Sequence, residues 1–218
     1  MPEIGVLGGS FNPIHFGHLL VADLLAEALG FDRVVLVPAA RPPHKPSAEL
    51  ADAEHRLAMT RLAVAGHPRF EVSDLELRRS GLSYTVDTLA ALAPRGRLSL
   101  LIGSETFLDL LSWKDPVGIV GRARLVVVPR SGLGFDPAGA PARAILDQLG
   151  LERFVPVPMD GAPLAAAPRT PLLAEVASLP ISGSDLRRRA RAGRSLAFRL
   201  PEAVADYIRS HRLYRVED

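Results

Sequence analysis

Two continuous apolar runs, Ile4-Gly5-Val6-Leu7 and Val34-Val35-Leu36-Val37, constrain this chain more than any other feature. A strand with one wet face alternates polar and apolar residues. These runs have no polar face, so each predicts a strand covered on both sides, as in a parallel sheet. Between them, residues 16–29 repeat apolar side chains at helical spacing (Leu20, Leu24, Ala28; Leu25, Leu29) and close on Gly30. The alternation continues, with helices expected at 50–65, 86–92 and 105–111 and strands at 33–38, 70–77, 98–102 and 125–128. Such an order predicts an α/β fold, a doubly wound Rossmann-like parallel sheet. From 131 to 171 the pattern weakens into Gly- and Pro-rich stretches around one small helix at 142–149, read as connecting structure. Helices at 184–192 and 201–210 close the chain. The expectation is a single domain over 1–218, with the sheet core to about residue 180 and a small helical C-terminal part over about 181–218.

Composition removes several function classes. There is no Cys, which excludes disulfides, thiolate metal sites and Cys nucleophiles. No apolar run approaches the roughly 18 residues that span a bilayer. Met1, Pro2 and Glu3 lead straight into the first strand without a basic leader. No membrane partner is expected, and the cytoplasm is the expected location. A pI near 9.4 invites a nucleic-acid reading, yet the formal charge is only +2. Of the 26 basic residues only Lys45 and Lys114 are Lys, and with no Cys and three Tyr little titrates between about pH 8 and 10. The pI reports a flat titration curve rather than a strong positive field, and no nucleic-acid partner is expected.

The segment Gly8-Gly9-Ser10-Phe11-Asn12-Pro13-Ile14-His15-Phe16-Gly17-His18 joins the first strand to the first helix, where open α/β sheets bind ligands. Gly8 and Gly9 allow close backbone approach, and the helix start offers unpaired N–H groups and a positive dipole end. His15 and His18, three apart, share one face of the first turn. Two imidazoles and backbone amides aimed at one point suit a polyphosphate whose charge changes during reaction. Neither GxGxxG nor the Walker Lys-Ser/Thr pair is present.

Ile181-Ser182-Gly183-Ser184-Asp185-Leu186-Arg187 predicts a second capped helix start. Ser182 or Ser184 can cap, Asp185 favours the positive end, and Arg187 can grip phosphate with paired donors. The run Arg187-Arg188-Arg189-Ala190-Arg191-Ala192-Gly193-Arg194 also admits an RNA reading, but no RNA-binding motif or interleaved aromatic accompanies it.

Taken together these motifs resemble the nucleotidylyltransferase superfamily, and along nearly the whole chain they resemble bacterial nicotinate-nucleotide adenylyltransferase. The resemblance rests on residues 8–18, Pro42-Pro43-His44-Lys45, Ser83-Tyr84-Thr85-Val86-Asp87-Thr88-Leu89, Gly103-x-Glu105 with Leu110 and Trp113, residues 181–187, and Leu200-Pro201 through Tyr214. Gly183, Ser184, Leu186 and Glu105 depart from the usual family letters. The resemblance implies adenylyl transfer from ATP to nicotinate mononucleotide, yielding nicotinate adenine dinucleotide and pyrophosphate. His18, His15 and Arg187 would be catalytic. Gly8, Gly9, Ser10, Phe11, His15, His18, Gly103, Glu105, Ile181, Ser182, Ser184 and Arg187 would bind ATP. Lys45, Tyr84, Thr85 and Trp113 would bind the acceptor, Trp113 as an aromatic face for the flat ring. Mg2+ would arrive mainly with ATP, with no protein metal ligand, and self-association into a homo-oligomer stays open. Transfer to nicotinamide mononucleotide or phosphopantetheine is the alternative within the superfamily. A non-catalytic nucleotide- or RNA-binding module is the alternative of another class, disfavoured by the presence of both His and the second helix start.

Overall fold

The structure, a computed structural model, describes residues 1–43, 50–129, 134–160, 164, 166–167, 169–177 and 179–215. Seven parallel strands form one sheet in the order β3-β2-β1-β4-β5-β7-β6. They are β1 (Glu3–Gly9), β2 (Arg33–Pro38), β3 (Phe70–Val72), β4 (Arg97–Gly103), β5 (Ala123–Val128), β6 (Val155–Pro156) and β7 (Leu172–Leu173). The helices are α1 (Phe16–Ala28), α2 (Ala53–Val64), α3 (Leu75–Arg78), α4 (Thr85–Leu92), α5 (Ser104–Leu108), α6 (Pro116–Arg122), α7 (Ala140–Gln148), α8 (Gly183–Arg191) and α9 (Glu202–Ser210). None of them is long and apolar enough to cross a membrane.

The apolar runs are double-sided as expected. Val34, Leu36, Leu101, Val126 and Val128 face one cluster with Phe11, Ile14, Leu25, Leu186, Val204 and Ile208. Val35, Val37, Leu100, Ile102, Leu125 and Val127 face the other with Val86, Leu89, Phe107, Ile119 and Ile145. The period-2 alternation of Cβ directions places one set of helices on each face. The first cluster also carries α8 and α9, so the C-terminal helices pack on the same side as α1. β1 pairs with β2 on one side and β4 on the other, which makes the C-terminal ends of β1 and β4 the switch point where a crevice opens.

Four expectations are corrected. The predicted strand at 70–77 stops at Val72, because the Ser73 hydroxyl accepts the Leu75 N–H at 3.4 Å and the chain turns into α3. The predicted helix at 105–111 is α5 followed by a separate 3-10 turn at Leu110–Ser112. Helix α6 was not anticipated although its start is signalled: Asp115 accepts the Gly118 N–H at 2.8 Å and Pro116 opens the first turn. Gly118 and Gly121 inside it weaken the periodic pattern. Lastly, the stretch read as connecting structure contributes β6, and β7 follows directly after it. Two-residue strands carry no periodicity, and only pairing makes them strands: β7 with β5 through Val126↔Leu172 and Val127↔Leu173, and β6 with β7 through Val155↔Leu172 and Pro156↔Leu173.

Candidate active site

Two cavities meet above the C-terminal ends of β1 and β4. The first, about 630 Å³, is lined by His15, Gly17, His18, Gly103, Ile181 and Ser182 among others. The second, about 350 Å³, is lined by Gly8, Gly9, Ser10, Tyr84, Thr85 and Trp113 among others. His18 and Gly103 border both. A larger hollow of about 760 Å³ lies between Phe16, α8 and α9, and shares no residue with either.

The first helix tip is built by packing of its own rings. His15 is extended at the N-cap of α1 and buried, and its backbone N–H donates to His18 Nδ1 at 3.3 Å. With Nδ1 accepting, the neutral His18 ring carries its proton on Nε2, a tautomer assigned from this bond. The two rings stack with centroids 3.8 Å apart, and Phe11 meets His18 edge-on at 5.3 Å. Gly17 serves this stack. A Cβ there would stand 3.0 Å from His15 Nδ1, so any larger residue would displace the ring.

The second helix tip, at α8, is brought onto the first loop. Ser182 caps it, accepting the Asp185 N–H at 3.2 Å, and its hydroxyl lies 3.2 Å from that of Ser184. Arg187 Nη1 donates to the Asn12 carbonyl at 2.9 Å. A Cβ on Gly183 would lie 3.0 Å from that same carbonyl oxygen. The departure at Gly183 thus coincides with a close approach: without a side chain there, α8 sits against the β1–α1 loop with no shift of either. Other members of the Arg run are tied within the chain. Arg188 pairs with Asp185, and Arg189 Nε donates to the Ser195 carbonyl at 2.9 Å.

In the second cavity Trp113 and Tyr84 are partly buried against the second core cluster while also lining the space. Trp113 is thus both packing residue and exposed face. Lys114 lines this cavity too, with Nζ 3.1 Å from Asp87 Oδ2 and 4.6 Å above the centre of the Tyr84 ring. Glu76 and Thr88 complete the wall.

Behind the second cavity lies Arg56, 1% exposed. Its Nε donates to Ala51 O (2.8 Å), Nη1 to Ser10 O (2.8 Å) and Ala39 O (2.6 Å), and Nη2 to Ala40 O (3.1 Å). Burial draws its pKa below the usual guanidinium value. Asn12 is a second hub, accepting at Oδ1 from the Ala51 N–H at 3.1 Å and from the Tyr214 hydroxyl at 2.8 Å. Burial pushes the Tyr214 phenol well above its usual pKa.

The cytidylyltransferase-like family model matches residues 6–189. A protein of Roseiflexus sp. (strain RS-1) named "Probable nicotinate-nucleotide adenylyltransferase" is 42% identical over 97% of this chain and 98% of its own. A Thermus thermophilus protein of the same name is 43% identical over 98% of this chain and 100% of its own. The chain belongs to the nicotinate-nucleotide adenylyltransferase family. Its fold is shared with a solved Plasmodium falciparum nicotinic acid mononucleotide adenylyltransferase complexed with NaAD, at TM-score 0.72, 19% identity and 98% coverage of both chains.

Set against the residues that the adenylyltransferase resemblance singled out, the geometry sorts them. His15, His18, Gly103, Ile181 and Ser182 line the first cavity, whereas Gly8, Gly9 and Ser10 line the second, at its junction with the first. Tyr84, Thr85 and Trp113 also line the second. Phe11, Glu105, Ser184 and Arg187 line neither. Phe11 is buried under His18, Glu105 is exposed in the first turn of α5 with Thr106 facing the cavity instead, and Arg187 is anchored on Asn12. His44 and Lys45 lie outside the described residues. Glu76, Thr88, Lys114, Arg56, Asn12 and Tyr214 have site or supporting positions that sequence reading did not assign. Asn12, Thr88 and Tyr214 stand within the motifs that carry the resemblance, and Lys114 is one of only two Lys in an Arg-dominated chain; Glu76 and Arg56 gave no such signal.

Proposed function

We propose that this chain transfers the adenylyl group of ATP to nicotinate mononucleotide, forming nicotinate adenine dinucleotide and pyrophosphate on the cytoplasmic route to NAD. The observation that carries this reading is the common wall: His18 and Gly103 border both cavities, so groups held in the two meet at one imidazole. ATP takes the first cavity, with its triphosphate against the α1 and α8 tips, and the mononucleotide takes the second.

An oxygen of the acceptor's 5′-phosphate attacks the α-phosphorus in line. The bond from that phosphorus to the bridging oxygen breaks, and pyrophosphate leaves with the electron pair. The nucleophile is already anionic, so no general base and no covalent intermediate are needed. Positioning and charge stabilisation supply the catalysis. His18 donates Nε2–H to the α-phosphoryl oxygens as charge builds, His15 holds His18 by stack and N–H bond, and Arg187 ties the α8 tip to the loop carrying the histidines. Trp113 offers the nicotinate ring a face, and Lys114 places a cation where the ring carboxylate enters. Magnesium would enter with ATP, held mainly by its phosphate oxygens, and would neutralise phosphate charge there. Residues 1–218 are read as one working unit, because the α8 tip belongs to the site.

Incubation of ATP and magnesium with nicotinate mononucleotide, nicotinamide mononucleotide or phosphopantetheine, followed by mass spectrometry, tests the assignment. The dinucleotide of the acid is the expected main product. Equal kcat/KM for acid and amide would remove carboxylate recognition, and product from phosphopantetheine alone would replace the assignment.

A further inference from the structure

Glu76 lies on the one-turn helix α3, is 7% exposed, and lines the second cavity beside Gly8, Ser10, Tyr84 and Thr88. Its Oε1 accepts the Thr88 hydroxyl at 2.5 Å. Its Oε2 is buried and has no hydrogen-bond partner among the described residues. A buried carboxylate oxygen left in this state is costly unless something donates to it. Arg56 is near enough for its charge to be felt by this carboxylate, but its hydrogen bonds run to backbone carbonyls. The side chain is therefore only half satisfied by the protein, and the residue that carries the unsatisfied oxygen lines the cavity.

The chemistry of the acceptor identifies the missing donor. Ser10, Ser83, Tyr84, Thr85 and Lys114 on this wall can all donate, whereas an ionised Glu can only accept. Nicotinate mononucleotide has an anionic phosphate at one end and an anionic carboxylate at the other. Between them its remaining donors are the ribose 2′- and 3′-hydroxyls. Building on the acceptor assignment above, we propose that Glu76 Oε2 accepts a hydrogen bond from a ribose hydroxyl of the mononucleotide. Glu76 then also orients the acceptor, because its charge repels the phosphate and the ring carboxylate, while the sugar and the cationic ring nitrogen bonded to it are compatible with that stretch of wall. The phosphate is directed toward His18 and the ring toward Trp113.

Trp113 is the sole Trp and lines this cavity, so its fluorescence reports acceptor binding directly. The experiment titrates nicotinate mononucleotide and its 2′-deoxy and 3′-deoxy analogues into wild type and Glu76→Gln, and measures adenylyl transfer and Tm alongside. Wild type is expected to bind one deoxy analogue about 10- to 100-fold more weakly than the parent, the range for a hydrogen bond to a charged group. Glu76→Gln keeps a carbonyl for Thr88 and removes the second acceptor. It should bind the parent correspondingly more weakly and lose the discrimination, with KM for ATP unchanged. A purely structural role for Glu76 lowers Tm and weakens all acceptors alike while discrimination survives, and that result overturns the inference. So does a wild type that binds both deoxy analogues as tightly as the parent. Should Glu76→Gln fail to fold, Glu76→Asp, which keeps the charge and shortens its reach, carries the same comparison. Ribose-dependent binding without transfer would remove the transferase reading and leave the contact standing. Transfer without ribose dependence would do the reverse.

Discussion

The two cavities are built by different means. The first is made mainly of two chain segments, the α1 tip around residues 15–18 and the approach to α8 around 179–182, with strand ends beneath. Its polar groups are the N-termini of helices and the side chains capping them, so each contributing segment is a contiguous motif. The second is assembled from the ends of β1, β2 and β4 together with single side chains from α3, α4, α5 and the turn at Trp113. A phosphate site can be made from backbone amides in one short stretch. A pocket that must read a ring, a sugar and a carboxylate needs side chains of different chemistry, and those come from wherever the fold delivers them.

The largest test strikes the wall common to both. His18→Ala is expected to lower kcat by on the order of 10²-fold or more with the fold retained, since it removes the donor at the reacting phosphoryl group. Near-normal turnover would separate the two cavities functionally. Arg56→Met comes next. It strips four hydrogen bonds from the carbonyls of Ser10, Ala39, Ala40 and Ala51, and is expected to cost on the order of 3 kcal/mol in urea unfolding. If stability instead holds within about 0.5 kcal/mol, water replaces the guanidinium there and the loops need no latch.

Trp113→Ala confines the damage to one cavity. KM for nicotinate mononucleotide should rise roughly 10-fold, the scale of one ring stack, while KM for ATP stays within about twofold. A matching rise in both would show that Trp113 acts through the core rather than by stacking. The smallest effect is expected at the periphery. The folded-state pKa of Tyr214 is raised by burial, so its contribution to stability is complete below its unfolded value, about pH 10, and is lost as pH rises further. Tyr214→Phe should flatten that alkaline decline while costing about 1 kcal/mol at pH 7 through the lost bond to Asn12. An unchanged slope above pH 10 would mean that the phenol ionises without unfolding its surroundings.

Much of the fold was legible because β1, β2, β4 and β5 are long, apolar on both faces and separated by helices. β6 and β7 were not, since a two-residue strand exists only through its partner. At the candidate site, the residues read from contiguous motifs, His15, His18, Gly103, Ile181 and Ser182, line one cavity. Glu105 shows the limit of letters: its motif position is met, yet the turn of α5 leaves it exposed and brings Thr106 to the cavity.

By itself the sequence determined the alternating order of elements, the two Gly- and Ser-marked helix starts and the pairing of His15 with His18, because each depends on neighbours within a turn or a strand. Tertiary structure alone decided that Gly183 packs closely on the Asn12 carbonyl, that Arg56 and Asn12 hold the loops, and that Glu76 lines the second cavity. These depend on surfaces far apart in the chain arriving within hydrogen-bond reach, and no local pattern records that distance.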